Sequence, residues 1–284
     1  MDSARPSWTA LRVALRRAAH QLYDAPPLIL HDPIAVRIVG RYAAELERTP
    51  GRIADRKPRP HSVAMRAFVV ARSRYAEDLL ACAVESGATQ YVVLGAGLDT
   101  FAHRNPYPTL RIFEVDRPAT QRWKRELLDM AGLTGPPALI YVSVDFERQT
   151  LPAELLAAGF DPTVPTFFSW LGVVSYITVE AFRATLGFIA QQPAGSGVLL
   201  DYEQPRAALP RLEQLSRDSR SHRAELAGEH FKLFFTPPQI GAEMQAFRGL
   251  EDFGTDQLNA RYFTGRTDRL QIMGEAQRII SGWV

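Results

Sequence analysis

The feature that most constrains the fold of this chain is a change of rhythm at Gln90. Beyond it, short apolar runs recur at Tyr91–Leu94, Leu110–Val115, Leu139–Val144, Thr166–Trp170 and Val198–Tyr202. Helical stretches such as Pro118–Met130 and Val179–Gln191 fall between most of them. Runs of strand length, apolar on both faces and separated by helices, predict an α/β fold with a mainly parallel sheet covered on each side. Further on, Leu209–Leu226 reads as a charged amphipathic helix, Pro237 to Phe247 as another helix and Leu250–Phe253 as a late strand.

The first ninety residues follow the helical period instead. Trp8, Leu11, Leu15, Ala18 and Leu22 recur at helical spacing, with arginines on the other side. Pro26 and Pro27 stop that helix. Asp32-Pro33 starts a second, an N-cap followed by the residue best suited to the first helical position, and Ile34, Ile38, Tyr42 and Leu46 share one side of it. Pro50 to Pro60 reads as a loop, and a long helix runs from about Ser62 to Ser86 with Gly87 as its C-cap. The simplest division is a helical cap over residues 1–88 and an α/β domain over 89–284, with an insertion at about 203–235.

Composition excludes several classes. The 33 basic and 31 acidic residues leave a net charge of +2, against the strongly basic face of a nucleic-acid binder. Cys82 is the sole cysteine, which rules out an internal disulfide framework and a multi-cysteine zinc site. The six histidines show no metal-like spacing. No run approaches the roughly 20 apolar residues that span a bilayer, and Arg12, Arg16 and Arg17 break the only candidate signal segment. The expectation is a soluble protein of a reducing compartment, the cytoplasm.

The chemistry is expected where the first strand ends, in Leu94-Gly95-Ala96-Gly97-Leu98-Asp99-Thr100. Glycines at such a turn let a ligand approach the backbone. The second strand ends in Glu114-Val115-Asp116, about twenty residues on, where a carboxylate can accept from ribose hydroxyls. A dinucleotide fingerprint beginning at Gly95 needs a glycine where Thr100 stands, and Asp99 would set an anion where a pyrophosphate sits. A sulfonium cofactor without phosphate suits these acidic surroundings. The third strand runs into Asp145-Phe146, which offers an acceptor for an adenine amino group and an apolar face for its ring. Together these residues point to S-adenosyl-L-methionine.

Longer runs carry a resemblance. Arg72-Ser73-Arg74-Tyr75-Ala76-Glu77-Asp78, Tyr91 through Phe101, Phe113 through Gln121, Val144-Asp145-Phe146, Phe167 through Tyr176 and Asn259 through Arg266 follow one another in this order. In these runs the chain resembles the leucine carboxyl methyltransferase family, and in particular its bacterial branch, associated with secondary-metabolite O-methylation. The resemblance spans roughly residues 8 to 280. It implies a class I methyltransferase fold, Rossmann-like, with a seven-stranded mostly parallel sheet, helices on both faces and a helical N-terminal cap. It also implies that Arg72 pairs with the carboxylate of the cofactor's methionine part. Gly95, Ala96 and Gly97 would form the glycine loop, Asp116 would bind ribose, and Asp145 with Phe146 the adenine. Where many members carry glutamate before the glycine of the fourth-strand motif, this chain has Leu171, and packing by Trp170 would stand in for that contact.

Methyl transfer from a sulfonium is an in-line displacement, so the protein's main task is to hold acceptor and methyl about 3 Å apart and aligned. No residue is assigned to catalysis from the sequence. A carboxylate acceptor is ionised at neutral pH and needs no base, whereas a phenol benefits from one. No histidine–carboxylate pair stands at a local spacing that suggests a base, which favours a small-molecule carboxylate. Phenol or hydroxyl O-methylation, methylation of a protein C-terminal carboxylate, and cofactor binding without transfer are the alternatives. Tyr23, Tyr176 and Tyr202 are the candidates for the acceptor pocket. The Pro50–Pro60 loop is a candidate lid, and His103 reads as a helix residue.

Overall fold

The computed structural model describes residues 7–42, 60–144, 149–226 and 228–284. Its strands are β1 Gln90–Leu94, β2 Arg111–Asp116, β3 Leu139–Ser143, β4 Thr166–Trp170, β5 Gly197–Glu203, β6 Arg248–Phe253 and β7 Gln277–Trp283. They form one seven-stranded sheet in the order β3-β2-β1-β4-β5-β7-β6. The first five pair in parallel, and β7 enters antiparallel between β5 and β6. The five early strands and the late one lie where the apolar runs place them. The strand β7 gave no such signal, because Arg278, Ser281 and Gly282 interrupt its apolar residues. Its partner specifies it: β5 pairs with it from Gly197↔Trp283 to Glu203↔Gln277.

The helices are α1 Trp8–Tyr23, α2 Pro33–Ile38, α3 Pro60–Glu85, α4 Pro118–Met130, α5 Leu151–Ala157, α6 Val179–Ala190, α7 Arg211–Leu226, α8 Pro237–Glu243 and α9 Thr255–Tyr262. Ser7 caps α1 by accepting the Ala10 N–H at 3.2 Å, and Asp32 caps α2 by accepting the Ala35 N–H at 3.1 Å. Helix α2 stops at Ile38 and is followed by a 3-10 turn, Gly40–Tyr42, so the expected register through Tyr42 does not persist; Leu46 lies outside the described residues. Gly87, at φ +101°, ends α3, with its N–H on Val84 O and that of Ala88 on Ala83 O. Helix α8 ends at Glu243, short of the expected Phe247. The connection from β1 to β2 holds only a 3-10 turn, Phe101–Arg104, which places His103 in that turn.

Strand alternation divides the core. Tyr91, Val93, Phe167, Leu199 and Ile279 face Phe68, Tyr75, Leu79 and Leu80 of α3, so this helix shares a core with the sheet. Val92, Leu94, Phe168, Trp170, Val198 and Leu200 face α5, α6 and α8 on the other side. A third cluster packs Leu11, Ala14 and Ala18 of α1, and Ala35 and Ile38 of α2, on Trp123, Leu127 and Leu128 of α4 and on Leu98 of the glycine turn. Helix α1 is thereby seated directly over the end of β1.

Candidate active site

A cavity of about 310 Å³ opens at the carboxyl ends of β1, β4 and β5. It lies where strand order reverses between β1 and β4, the position at which open α/β sheets bind ligands. Its floor is the turn after β1. Gly95 and Gly97 stand at φ +69° and +53°, in the left-handed region that side chains resist. The N–H groups of Gly95 and Ala96 both donate to Val115 O, at 2.8 and 3.0 Å, which holds the turn against β2. A Cβ on Gly95 would lie 2.2 Å from Val173 Cγ2, and one on Gly97 would lie 2.9 Å from Ala10 Cβ. Asp116 closes this end. Its Oδ2 accepts the Gly97 N–H at 2.6 Å and its Oδ1 the Arg117 N–H at 2.7 Å. Burial pushes the Asp116 carboxyl up, while those N–H groups and the Arg117 guanidinium oppose the shift.

Arg72, on α3, reaches the cavity from another wall. Its guanidinium is buried and paired with Asp201 of β5, and its Nε has no hydrogen-bond partner among the described residues. The second oxygen of Asp201 accepts the Gly172 N–H at 2.5 Å. This answers the departure at Leu171: the leucine lines the cavity and packs on the α3 side, and Asp201 brings a carboxylate to the backbone of the next residue. Trp170 takes no part. The alternation of β4 turns Ser169 and Leu171 to the cavity and sends Trp170 to the opposite face, fully buried and stacked on Phe182 with ring centroids 5.5 Å apart.

The acidic residue beside the glycines needs a second correction. Asp99 is not a bare anion, because Arg17 of α1 pairs with it at 2.8 Å and its other oxygen accepts the Phe101 N–H at 2.8 Å. Burial alone would push its carboxyl up, but Arg17, Lys124 and Arg104 hold it below the usual range. Nor does an α-helix start here to receive a phosphate. The missing helix N-terminus, rather than repulsion by Asp99, disfavours a pyrophosphate. The same charges tie the N-terminal helices to the turn. Arg17 also donates to Leu98 O, Thr100 Oγ1 donates to the fully buried Asp32 at 2.7 Å, and Arg104 forks onto Glu77.

Tyr176, Glu203, Arg220, Glu229 and Phe231 form a further wall of the cavity, with Glu229 3.7 Å from Arg117. Tyr176 meets the Phe231 ring edge-on at 5.1 Å, and burial, followed by the nearby Glu229 and Glu203, pushes its hydroxyl up. Tyr202 touches the cavity, but its hydroxyl donates to Asp252 at 2.8 Å and accepts from Arg278 Nε at 3.1 Å, so it is committed to β6 and β7. Tyr23 does not line the cavity: it is the last residue of α1, partly exposed, and only the stretch of that helix up to Arg17 faces the site. Asp145 and Phe146 lie outside the described residues, as does the Pro50–Pro60 loop apart from Pro60 in α3. Sequence reasoning missed Asp201, Glu203, Arg220, Glu229 and Phe231. His20, buried in α1, is structural, with Nδ1 on Asp24 at 2.7 Å and Nε2 accepting the Ile29 N–H at 3.1 Å.

These residues fit S-adenosyl-L-methionine. The glycine turn is a cradle that a Cβ would fill, Arg72 keeps a buried unpartnered donor for the methionine carboxylate, and Asp116 offers acceptors to the ribose. When bound there, the cofactor supplies a methyl group carried on a sulfonium. Sheet order and site together define a class I methyltransferase. The comparisons agree. Residues 10–190 match the family model described as leucine carboxyl methyltransferase. A Bacillus subtilis protein named as an S-adenosyl-L-methionine-dependent methyltransferase, YktD, is 32% identical over 295 residues, covering 95% of each chain. A Mycobacteroides abscessus protein named in the same way is 37% identical over 176 residues, 61% of this chain and 56% of that one. Two crystal structures share the fold: a Thermobifida fusca protein titled as a methyltransferase (TM-score 0.56, 17% identity, 99% and 96% covered) and a DUF574 family protein of Streptomyces avermitilis (0.54, 18%, 94% and 96%). The chain belongs to the leucine carboxyl methyltransferase family and is an S-adenosyl-L-methionine-dependent methyltransferase.

Proposed function

We propose that this methyltransferase is an O-methyltransferase acting on a small molecule of secondary metabolism, in the cytoplasm. The observation that carries the reading is the shape of the site. One cavity runs from the glycine turn and Asp116 to an end roofed by the segment after α7, where Lys232 N–H donates to Ser175 O at 2.7 Å and Phe235 N–H to Glu203 O at 3.1 Å. That roof suits a compact acceptor better than a protein C-terminus. Arg72, Gly95, Ala96, Gly97 and Asp116 are the cofactor-binding residues in this reading, with Asp145 and Phe146 expected on the adenine. The protein aligns the acceptor and excludes water, and alignment alone contributes several kcal/mol to such a transfer.

A carboxylate, already ionised, asks least of these side chains. The buried Glu229 supports a hydroxyl instead, since its Oε2 has no partner among the described residues and can accept a proton donor, which a carboxylate acceptor lacks. The test has two stages. Thermal unfolding with S-adenosylhomocysteine and with NADH should show stabilisation by the first alone, about 2.7 kcal/mol at a hundredfold excess over its dissociation constant. Release of S-adenosylhomocysteine is then followed with matched phenols and benzoic acids. Turnover with neither, together with methyl esters on protein C-termini by mass spectrometry, would overturn the small-molecule reading.

A further inference from the structure

Among the described residues, the carboxylates lining the cavity are satisfied with one exception. Asp99 has Arg17 and the Phe101 N–H, Asp116 two backbone N–H groups, and Asp201 Arg72 and the Gly172 N–H. Glu77 has Arg104, and Glu203 accepts from Arg220 Nη2 at 2.8 Å. Glu229 differs. It is only 5% exposed, its Oε1 lies 3.7 Å from Arg117, beyond hydrogen-bond reach, and its buried Oε2 has no partner among the described residues. Leaving a buried acceptor without a donor is costly, the more so when it is charged, so such an oxygen is a position open to a ligand's donor.

The backbone is anchored on both sides of this residue. The Glu229 N–H donates to Ala224 O at 2.9 Å at the end of α7, and three residues later the chain is pinned on Ser175. Between these anchors Phe231 sets its ring against Tyr176, giving flat walls beside the carboxylate. Among the described residues, the charged and titratable groups around this spot are Asp116 and Arg117 at the end of β2, Asp201 and Glu203 of β5, Arg72 of α3, Arg220 of α7 and Tyr176 after β4, with Asp201 paired to Arg72. Arg117 lies against Glu229 and Arg220 against Glu203, and Tyr176 has no negative charge to offer at neutral pH.

We infer that Glu229 is a catalytic residue: its Oε2 receives the hydroxyl of the methyl acceptor, and that acceptor is an aromatic ring bearing a hydroxyl, held against Tyr176 and Phe231. The inference rests on the O-methyltransferase reading and deepens it. The acceptor oxygen forms its new bond to the methyl carbon as the sulfur–methyl bond breaks, with that electron pair left on sulfur. The hydroxyl proton passes to Glu229 Oε2, so the sulfonium and the carboxylate become a neutral thioether and a neutral acid; release of that proton to water then restores the carboxylate. A carboxylate acceptor would bring no proton to this oxygen.

The test uses 4-nitrophenol, whose phenolate form absorbs visible light, bound to the full-length protein with S-adenosylhomocysteine, so no turnover is involved. In the parent complex the dye should bind tighter than 4-nitrobenzoate and remain neutral at a pH that ionises part of the free dye. In Glu229→Gln the bound dye should ionise at a pH lower by roughly one unit. The preference over 4-nitrobenzoate should fall about tenfold, and S-adenosylhomocysteine affinity should stay within about twofold. Because Oε2 has no partner, Glu229→Gln should unfold no earlier than the parent; Glu229→Asp, which keeps the charge but withdraws it, should give an intermediate dye shift. An unchanged dye ionisation in both variants would overturn the inference, as would a parent complex that does not bind the dye. Tenfold weaker S-adenosylhomocysteine binding with unchanged dye binding would make Glu229 a cofactor contact instead. If the parent does not bind S-adenosylhomocysteine at all, the underlying reading fails first.

Discussion

The tightest point in the cofactor end is Gly95, and replacing it with alanine has a cost that can be worked from the structure. Two terms add. At φ +69° an L-residue meets its own backbone, about 1–2 kcal/mol. The new Cβ would also sit 2.2 Å from Val173 Cγ2, so either the turn or the loop after β4 must move, and such overpacking costs about 1–3 kcal/mol. Gly95→Ala should therefore lose roughly 2–5 kcal/mol, read as a lower urea midpoint with unchanged slope. Val173 is β-branched and stiff, so it cannot readily swing aside. The two terms separate in a double-mutant cycle: Val173→Ala removes the clash but not the backbone strain, so the pair should recover about 1–3 kcal/mol relative to additivity. Additive behaviour, or a Gly95→Ala loss below about 0.5 kcal/mol, would refute the close-packed turn described here.

Three further changes test other parts of the site. Lys124 and Glu114 form a fully buried ion pair beneath the glycine turn, so Lys124→Met alone should cost about 3–5 kcal/mol and Lys124→Met with Glu114→Leu much less, by urea titration; equal losses would show that the charges do not depend on each other. Asp116→Asn should weaken S-adenosylhomocysteine about tenfold or more by calorimetry, the worth of a charged hydrogen bond, and unchanged affinity would remove Asp116 from the ribose. Burial, followed by Lys124, pushes the His103 imidazole down to about 4 from its ordinary 6.5. Between those values the unfolded chain holds a proton that the folded chain refuses, so this contribution is complete above pH 6.5 and is lost as pH falls toward 4. His103→Gln should flatten the fall in stability between pH 6.5 and 4, and parallel profiles would refute the assignment.

The parallel part of the sheet was legible because each of its strands is apolar on both faces and announces itself locally. The strand β7 does not: Ile279 and Ile280 are adjacent, and its place is decided by seven residues of pairing with β5, a contact between segments some eighty positions apart. The turn after β1 was legible for a related reason. The glycine turn and Asp116 are each fixed by one short segment whose backbone needs those residue types. Trp170 failed for want of a local rule, since a strand's period says which residues share a face but not which face borders the cavity. Phe167 and Ser169 lie with α3, and that arrangement put Trp170 against α6.

The acceptor end required tertiary structure, yet one part of it carried a local signal. In Asp201-Tyr202-Glu203 a strand ends with two acidic residues flanking a tyrosine, so alternation must set the acids on one face and the ring on the other. All three border the cavity, but the acids supply its charged contacts: Asp201 holds Arg72, Glu203 holds Arg220, and the Tyr202 hydroxyl turns to Asp252. Two charges at a buried strand end are expensive unless each has a purpose, and here they anchor two of the arginines that border the cavity, Arg72 and Arg220. Glu229 could not be reached this way. It lies in an irregular segment and acquires its setting only when α7 folds back over the end of β4. The residues proposed to meet the acceptor thus sit where the chain is least constrained locally, and those proposed to meet the cofactor where it is most constrained.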